Sequence, residues 1–154
     1  MALASLPGVL ACWSFLWYTR HMGQTIEYQR EEQRVHLIIY HLIWCPRRRK
    51  PVLVGPVADR CRELIEGKCA EKGWHVLALA MQPDHIYLFV RVWPSDSAAE
   101  VVKGCKGITS FHLRNECPQL RKLPSMWTRS YFASTVGTVS QETIQRYIDA
   151  QTGK

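Results

Sequence analysis

The hydrophobic pattern of the first half of the chain predicts a strand, a helix and a second strand. The run VHLIIYHLIW at 35–44 is rich in β-branched and aromatic residues, as is typical of a buried strand, and Pro46 ends it. Apolar residues recur at helical spacing from 55 to about 72, which predicts a helix. The nearly unbroken apolar run at 74–81 then predicts a central strand.

The next elements are marked by turn and capping residues. The tight turn Gln82-Pro83-Asp84 leads into a strand predicted at 85–93. Ser95 or Asp96 can cap a second helix, which runs to about Asn115.

The last third of the chain completes the pattern. One or two short strands are predicted at 126–136, and Ser140 is a plausible N-cap for a last helix through Gln151. The order strand–helix–strand–strand–helix–strand predicts an α+β fold of the ferredoxin-like type. We therefore expect an antiparallel sheet with two helices on one face and an extra C-terminal helix.

The strand at 85–92 has two faces of different chemistry, because alternate residues of a strand share a face. One face is aliphatic and should pack on the helices: Ile86, Leu88, Val90 and Val92. The other presents His85, Tyr87, Phe89 and Arg91, a composition suited to meeting a ligand or another element. His85 lies at the mouth of the strand, where it is either part of a site or an edge histidine bonded to the turn.

The last helix carries a second candidate pair. Tyr147 and Gln151 are four residues apart and therefore share one helical face. A packing tyrosine and a solvated amide are the alternatives to a catalytic role for this pair.

Composition and charge narrow the class of protein. The chain has 154 residues, which is about the size of one domain, and 47% of them are apolar. Its six cysteines form no C-x-x-C pair, which favours reduced thiols and a cytoplasmic location. The formal charge of +7 favours polyanionic partners, nucleic acid before membrane.

The N-terminal segment differs from the rest of the chain. Residues 1–18 are apolar but lack a cationic start and a cleavage site, and Met22 precedes the first globular pattern. We expect residues 1–24 to be an extension, either a translated upstream region or a disordered segment, with a membrane anchor as the third alternative. Residues 25–154 are expected to form the single functional domain.

Four segments together resemble the single-tyrosine transposases of the IS200/IS605 type, which belong to the histidine–hydrophobic–histidine endonucleases. QPDHIYL at 82–88 is similar to their M-P-D-H-x-H-L segment, and YHLIWCPRRR at 40–49 to their Y-H-L-V-W-C-P-K-Y-R. WTRSYFASTVGTV at 127–139 resembles W-x-x-S-Y-F-V-x-T-V-G-x-V, and the end of 140–151 resembles V-x-x-Y-I-x-x-Q. The likeness covers about residues 25–154 in order.

This resemblance implies a DNA-transfer chemistry. A divalent ion, Mg²⁺ or Mn²⁺, is held in this family by two histidines and a glutamine, and a tyrosine attacks single-stranded DNA beside a hairpin. By their places in the motifs, Tyr147 is the nucleophile, while His85 and Gln151 are metal ligands. The resemblance further implies a homodimer, no membrane association and a prokaryotic host.

Tyr87 departs from the family pattern, since it occupies the position of the second histidine. A neutral phenol with a pKa of about 10 is a poorer ligand for a divalent ion than imidazole. The alternative function is therefore a hairpin DNA-binding protein that no longer cleaves. An RNA-recognition module of the same fold is a third hypothesis, but its aromatic signature is lacking.

Basic residues supply candidate DNA contacts. Arg47, Arg48, Arg49 and Lys50 follow the first strand directly, at the position of the family's basic residues, and Arg129 lies before the last strand. Arginine binds phosphate through its planar guanidinium and lysine through its ammonium charge, so these five residues are predicted to contact DNA. The tryptophans could stack on bases, but we expect them in the core.

Overall fold

The computed structural model describes residues 29–31 and 34–136, and for residues 31, 34, 35 and 136 it describes the backbone alone. The predicted last helix and the whole N-terminal extension, residues 1–24, lie outside these residues. The elements in chain order are β1 (Gln29–Glu31), β2 (Arg34–His36), β3 (Ile38–Trp44), a 3-10 turn (Arg47–Arg49), α1 (Gly55–Lys72), β4 (His75–Gln82), β5 (His85–Val92), α2 (Ala98–Glu116), α3 (Pro118–Arg121) and β6 (Phe132–Val136).

The main sheet has four antiparallel strands in the order β4-β5-β3-β6. Helices α1 and α2 pack against each other and against one face of this sheet. The predicted α+β fold and its ferredoxin-like order are therefore confirmed. β1 and β2 form a separate two-stranded sheet.

Two strand predictions need correction. The run at 35–44 is interrupted at Leu37, so β2 and β3 belong to different sheets. The apolar strand β4, predicted to be central, is an edge strand of the main sheet. Most of its residues are only partly buried. The strand is hydrophobic because it packs against α1, and not because it has a neighbouring strand on each side.

The cap of α2 also differs from prediction. Ser97, not Ser95 or Asp96, is the N-cap, and its hydroxyl accepts a hydrogen bond from Glu100 N (3.2 Å). The Glu100 carboxylate in turn accepts one from Ser97 N (2.8 Å), which completes a capping box. Asp96 is engaged elsewhere, because its Oδ2 accepts a bond from the indole nitrogen of Trp74 (2.8 Å).

The core lies between the sheet and the two helices. The aliphatic face of β5 is fully buried there, as predicted: Ile86, Leu88, Val90 and Val92. The tryptophans also follow the prediction, since Trp44, Trp74 and Trp127 are buried in this cluster and Trp93 packs against it. They are therefore part of the packing and not an exposed stacking surface.

The cysteines and helices of the described residues bear on two expectations from composition. The five cysteines within the described residues are free, and three of them are buried. No helix in the described ranges is long and apolar enough to span a membrane.

Candidate metal and DNA site

His85 is placed by the turn between β4 and β5. It is the first residue of β5 and pairs with Gln82, the last residue of β4. The turn is held from a neighbouring segment, because Leu53 N donates a hydrogen bond to Pro83 O (3.0 Å). The His85 side chain is only 16% exposed. The imidazole therefore has a fixed place at one end of the sheet.

Asp84 joins His85 to the basic turn. Its Oδ1 lies 2.5 Å from His85 Nδ1, and its Oδ2 accepts a hydrogen bond from Arg49 Nη2 (3.1 Å). Burial alone would raise the pKa of Asp84, but the hydrogen bond from His85 and the nearby Arg49 outweigh it and lower the pKa. An ionised carboxylate is acceptor-only, so His85 Nδ1 carries the proton and donates it.

The other nitrogen of His85 carries the candidate chemistry. With the proton on Nδ1, neutral imidazole keeps a lone pair on Nε2. His85 Nε2 is buried and has no hydrogen-bond partner among the described residues. Metal-binding histidines commonly donate their second N–H to a carboxylate, as His85 does to Asp84. These observations fit a divalent metal, for which His85 would supply one nitrogen ligand.

Tyr87 occupies the next position on the same face and is buried, with 8% of its surface exposed. Its ring stands at 89° to the His85 ring, with the centroids 4.7 Å apart. The aromatic packing continues along the same face of the sheet, where the His41 ring stacks on the Phe89 ring with the centroids 4.4 Å apart. A phenol ring therefore packs against His85 at the position where the family pattern has a second imidazole.

The described residues do not by themselves form a metal site. They contain no group of three or more histidine, cysteine, aspartate or glutamate side chains arranged to bind a metal. Tyr147 and Gln151, the predicted nucleophile and second ligand, lie outside the described residues. Their roles stay predictions.

The basic turn is exposed and has an unusual backbone. Arg47, Arg48, Arg49 and Lys50 are all exposed, and Arg48 and Arg49 have φ of 57° and 51°. Left-handed conformations are uncommon for residues other than glycine and often mark functional sites.

The four basic side chains of this turn are not equivalent. Arg47 donates to Ser125 Oγ (3.0 Å) and Arg49 to Asp84. Arg48 and Lys50 make no side-chain hydrogen bond or ion pair within 29–31 and 34–136, so their charges are available to a partner.

Two residues of the site were not predicted from the sequence. Asp84 was assigned only to a turn, although a carboxylate beside a candidate histidine ligand could have indicated its role. Lys106 of α2 donates to Thr128 O (2.8 Å) and Ser130 O (3.0 Å). Lys106 thereby fixes the segment on which the exposed Arg129 lies, and no local pattern predicts a contact so distant in sequence.

The chain is similar to known transposases over most of its length. The model of the family described as "Transposase IS200 like" matches residues 34–151. The ISDra2 transposase TnpA of Deinococcus radiodurans is 32% identical over 132 residues, which are 84% of this chain and 94% of that protein. The transposase for insertion sequence element IS200 of Salmonella typhimurium is 25% identical over 115 residues, 73% of this chain and 75% of its own length.

Solved structures show the same fold. A crystal structure of a transposase from Deinococcus radiodurans has a TM-score of 0.66 and 30% identity, and the match covers 80% of this chain and 97% of that one. A REP-associated tyrosine transposase bound to a REP hairpin has a TM-score of 0.55 at 14% identity, covering 78% and 69% of the two chains, so the likeness concerns the fold alone. From the family match and these relatives, the chain belongs to the IS200-like transposases, a family of DNA-transfer enzymes.

Proposed function

We propose that this protein cleaves and rejoins single-stranded DNA at hairpin-bearing element ends, with Tyr147 as the nucleophile. The observation that carries the proposal is the buried Nε2 of His85, which has no hydrogen-bond partner in the part of the chain that the structure describes, while Nδ1 is bonded to Asp84. A nitrogen lone pair left unused inside the protein is costly unless it serves a ligand. The family membership supplies the class of reaction that this ligand would serve.

The reaction transfers one phosphodiester. The Tyr147 oxygen loses its proton and bonds to the scissile phosphorus, and the bond from phosphorus to the 3′-oxygen of the preceding nucleotide breaks. That oxygen takes up a proton and leaves as a 3′-hydroxyl, while the 5′-phosphate stays on Tyr147. A different 3′-hydroxyl reverses the step, and the phosphotyrosine link preserves the bond energy for this return.

His85 and Gln151 would hold Mg²⁺ or Mn²⁺. When bound, such an ion supplies Lewis-acid polarisation and orientation of the phosphate. His85 is held by Asp84 with its lone pair available, and Gln151 lies one predicted helical turn after Tyr147. A ligand and the nucleophile on one helical face would set the attacking oxygen beside the phosphate.

The DNA itself would be held by positive charge. Arg48 and Lys50 are exposed and make no side-chain hydrogen bond or ion pair with the described residues, and Arg47 and Arg129 are also exposed. Counterion release makes such binding steeply dependent on salt. We propose residues 25–154 as the transposase domain and a homodimer as the active form, both on the family resemblance.

A covalent trap tests the proposal directly. The full chain is incubated with a labelled single strand that carries an element-end hairpin, with and without Mn²⁺, and resolved on a denaturing gel. We expect a protein–DNA adduct that requires Mn²⁺ and is lost in Tyr147→Phe. Tyr131→Phe is the matched control, because Tyr131 is an exposed tyrosine of the described part and should leave the adduct intact. An adduct in Tyr147→Phe would show that another tyrosine is the nucleophile.

The second candidate function is hairpin binding without cleavage. Tyr87 favours it, because a packed phenol replaces the imidazole at that position. In this case the protein binds the hairpin strand more tightly than blunt duplex, with an affinity that falls steeply with salt, but forms no adduct with Mn²⁺. Equal affinity for both DNA forms would contradict both functions.

A further inference from the structure

We propose that Arg49 is a positioning residue for the metal site: through Asp84 it fixes the tautomer and orientation of His85. The inference rests on the proposed function in taking His85 as a metal ligand. It assigns to Arg49 a role in addition to the DNA contact predicted from the sequence.

The contacts divide the Asp84 carboxylate between two partners. One oxygen lies 2.5 Å from His85 Nδ1, and the other accepts from Arg49 Nη2 at 3.1 Å. The Asp84 side chain is 35% exposed and the His85 side chain 16%. A carboxylate at this exposure could turn towards water, which would release the ring. The guanidinium removes that freedom because it holds the second oxygen.

The backbone holds Arg49 in place for this contact. Arg49 N donates to Pro46 O (2.9 Å), and Arg47 N donates to Met126 O (2.9 Å). Leu53 N, just beyond the turn, donates to Pro83 O (3.0 Å). The turn before β5 is thus joined to Arg49 by the ion pair and to the segment just after the basic turn by a backbone hydrogen bond. Left-handed backbone at Arg49 persists only because its surroundings determine it.

An ordinary surface salt bridge is the competing explanation, since the Arg49 side chain is 65% exposed. Exposed ion pairs commonly contribute little to stability. Stability alone therefore cannot separate the two explanations. Two other quantities can: the tautomer of His85 in the metal-free protein and the affinity for Mn²⁺ in the absence of DNA.

The first measurement uses ¹⁵N NMR of the histidine ring in the full chain without metal. We expect His85 to carry its proton on Nδ1 in the parent, and to become a mixture of tautomers in Arg49→Ala and in Asp84→Asn. Arg48→Ala is the matched control, because Arg48 has the same left-handed backbone and charge but no contact with Asp84. A His85 spectrum in Arg49→Ala that equals that of Arg48→Ala overturns the inference.

The second measurement is Mn²⁺ affinity, followed by the EPR signal of the free ion. Outer partners of metal ligands commonly contribute about 10–100-fold in affinity, so Arg49→Ala should bind Mn²⁺ about 10-fold more weakly. Simple electrostatics predicts the reverse, since the substitution removes a positive charge near a cation. Unchanged or tighter binding in Arg49→Ala therefore overturns the inference, and Arg49→Lys should bind with intermediate affinity.

The two measurements separate this inference from the proposed function. If the parent binds no Mn²⁺, the proposed metal role of His85 fails, while the NMR comparison still decides whether Arg49 positions the ring. If the parent binds Mn²⁺ and Arg49→Ala matches Arg48→Ala in both measurements, the proposed function stands and Arg49 has no positioning role.

Discussion

The eight residues of β5 form two faces, and the two faces differ in chemistry and in the role expected of them. Towards the helices, Ile86, Leu88, Val90 and Val92 are fully buried and wholly aliphatic. Towards the opposite side, Tyr87 and Phe89 are nearly as buried, but they share their face with histidine and arginine. Burial alone therefore does not separate a structural face from a functional one.

The two faces differ in whether their side chains carry polar atoms and in whether those atoms have hydrogen-bond partners. The helix-facing residues of β5 have none in their side chains, so packing is their whole contribution. The second face keeps a nitrogen of His85 without a partner among the described residues, beside a carboxylate that is fixed by an arginine. A fold that maximised stability would remove such a nitrogen. Its presence marks the face on which the chemistry is expected.

The largest expected effect is on the aliphatic face. Leu88→Ala should lower the free energy of unfolding by about 2–5 kcal/mol, because it opens a cavity at a fully buried site. Urea unfolding measures this loss. His85→Ala should cost clearly less, since it removes one hydrogen bond to the partly exposed Asp84 and a second nitrogen, Nε2, that has no hydrogen-bond partner among the described residues. Equal losses for the two variants would show that the faces do not differ in the way described.

The next effect concerns the second face. Tyr87→His should raise Mn²⁺-dependent cleavage by about 10–100-fold, because an imidazole restores a nitrogen ligand beside His85. Adduct formation over time measures the gain. Tyr87→Phe is the control, since it keeps the ring but supplies no ligand and should give no gain. If Tyr87→His changes nothing while the parent cleaves well, position 87 does not bind the metal.

A smaller effect concerns the helix that covers the aliphatic face. Ser97→Ala should lower the free energy of unfolding by about 1 kcal/mol, because α2 loses its N-cap. Ser95→Ala is the matched control, as Ser95 is exposed and does not cap α2. Thermal unfolding measures both. Neither variant should change Mn²⁺ affinity. A change would show that the stability of α2, on one face of β5, affects metal binding on the other face.

The smallest expected effect is confined to acidic solution. Burial lowers the pKa of His41 and, with help from Arg91, that of His75. Because both folded pKa values lie below the ordinary 6.5, the unfolded chain takes up protons first as the pH falls. Stability from this source is complete above about pH 6.5 and is lost as the pH falls through the folded pKa values.

The replacement His41→Phe tests this pH dependence. It keeps an aromatic ring against Phe89 but removes the titrating group, so the melting temperature should fall less between pH 7.5 and pH 5 than in the parent. An identical fall in the two proteins would place the acid sensitivity outside His41.

Local patterns in the sequence predicted most of the fold. The period of two in β5 and the helical spacing in α1 placed both elements, because each pattern reflects contacts made by neighbours in the chain. The edge position of β4 could not be predicted this way, since buried and edge strands both carry apolar runs. The N-cap of α2 could not be chosen from the sequence among the adjacent residues Ser95, Asp96 and Ser97. The choice depends on a distant contact, because Asp96 accepts a hydrogen bond from Trp74.

The candidate site was predicted only in part. The family motifs indicated His85 and the basic turn, but the contact between Arg49 and Asp84 joins residues 35 positions apart. Such a pairing depends on how β3 and β5 lie side by side, which no local window contains. The roles of Tyr147 and Gln151 stay predictions, because both lie outside the described residues.

The left-handed backbone of Arg48 has a consequence for how this sequence can evolve. Glycine adopts such a conformation without the clash that a β-carbon brings, so a library at position 48 selected for thermal resistance alone should accumulate glycine. Selection for transposition in cells should retain arginine, provided that its guanidinium meets DNA. Selection for thermal stability and selection for transposition would then favour different residues at position 48. The residue found there indicates which of the two selections has been stronger.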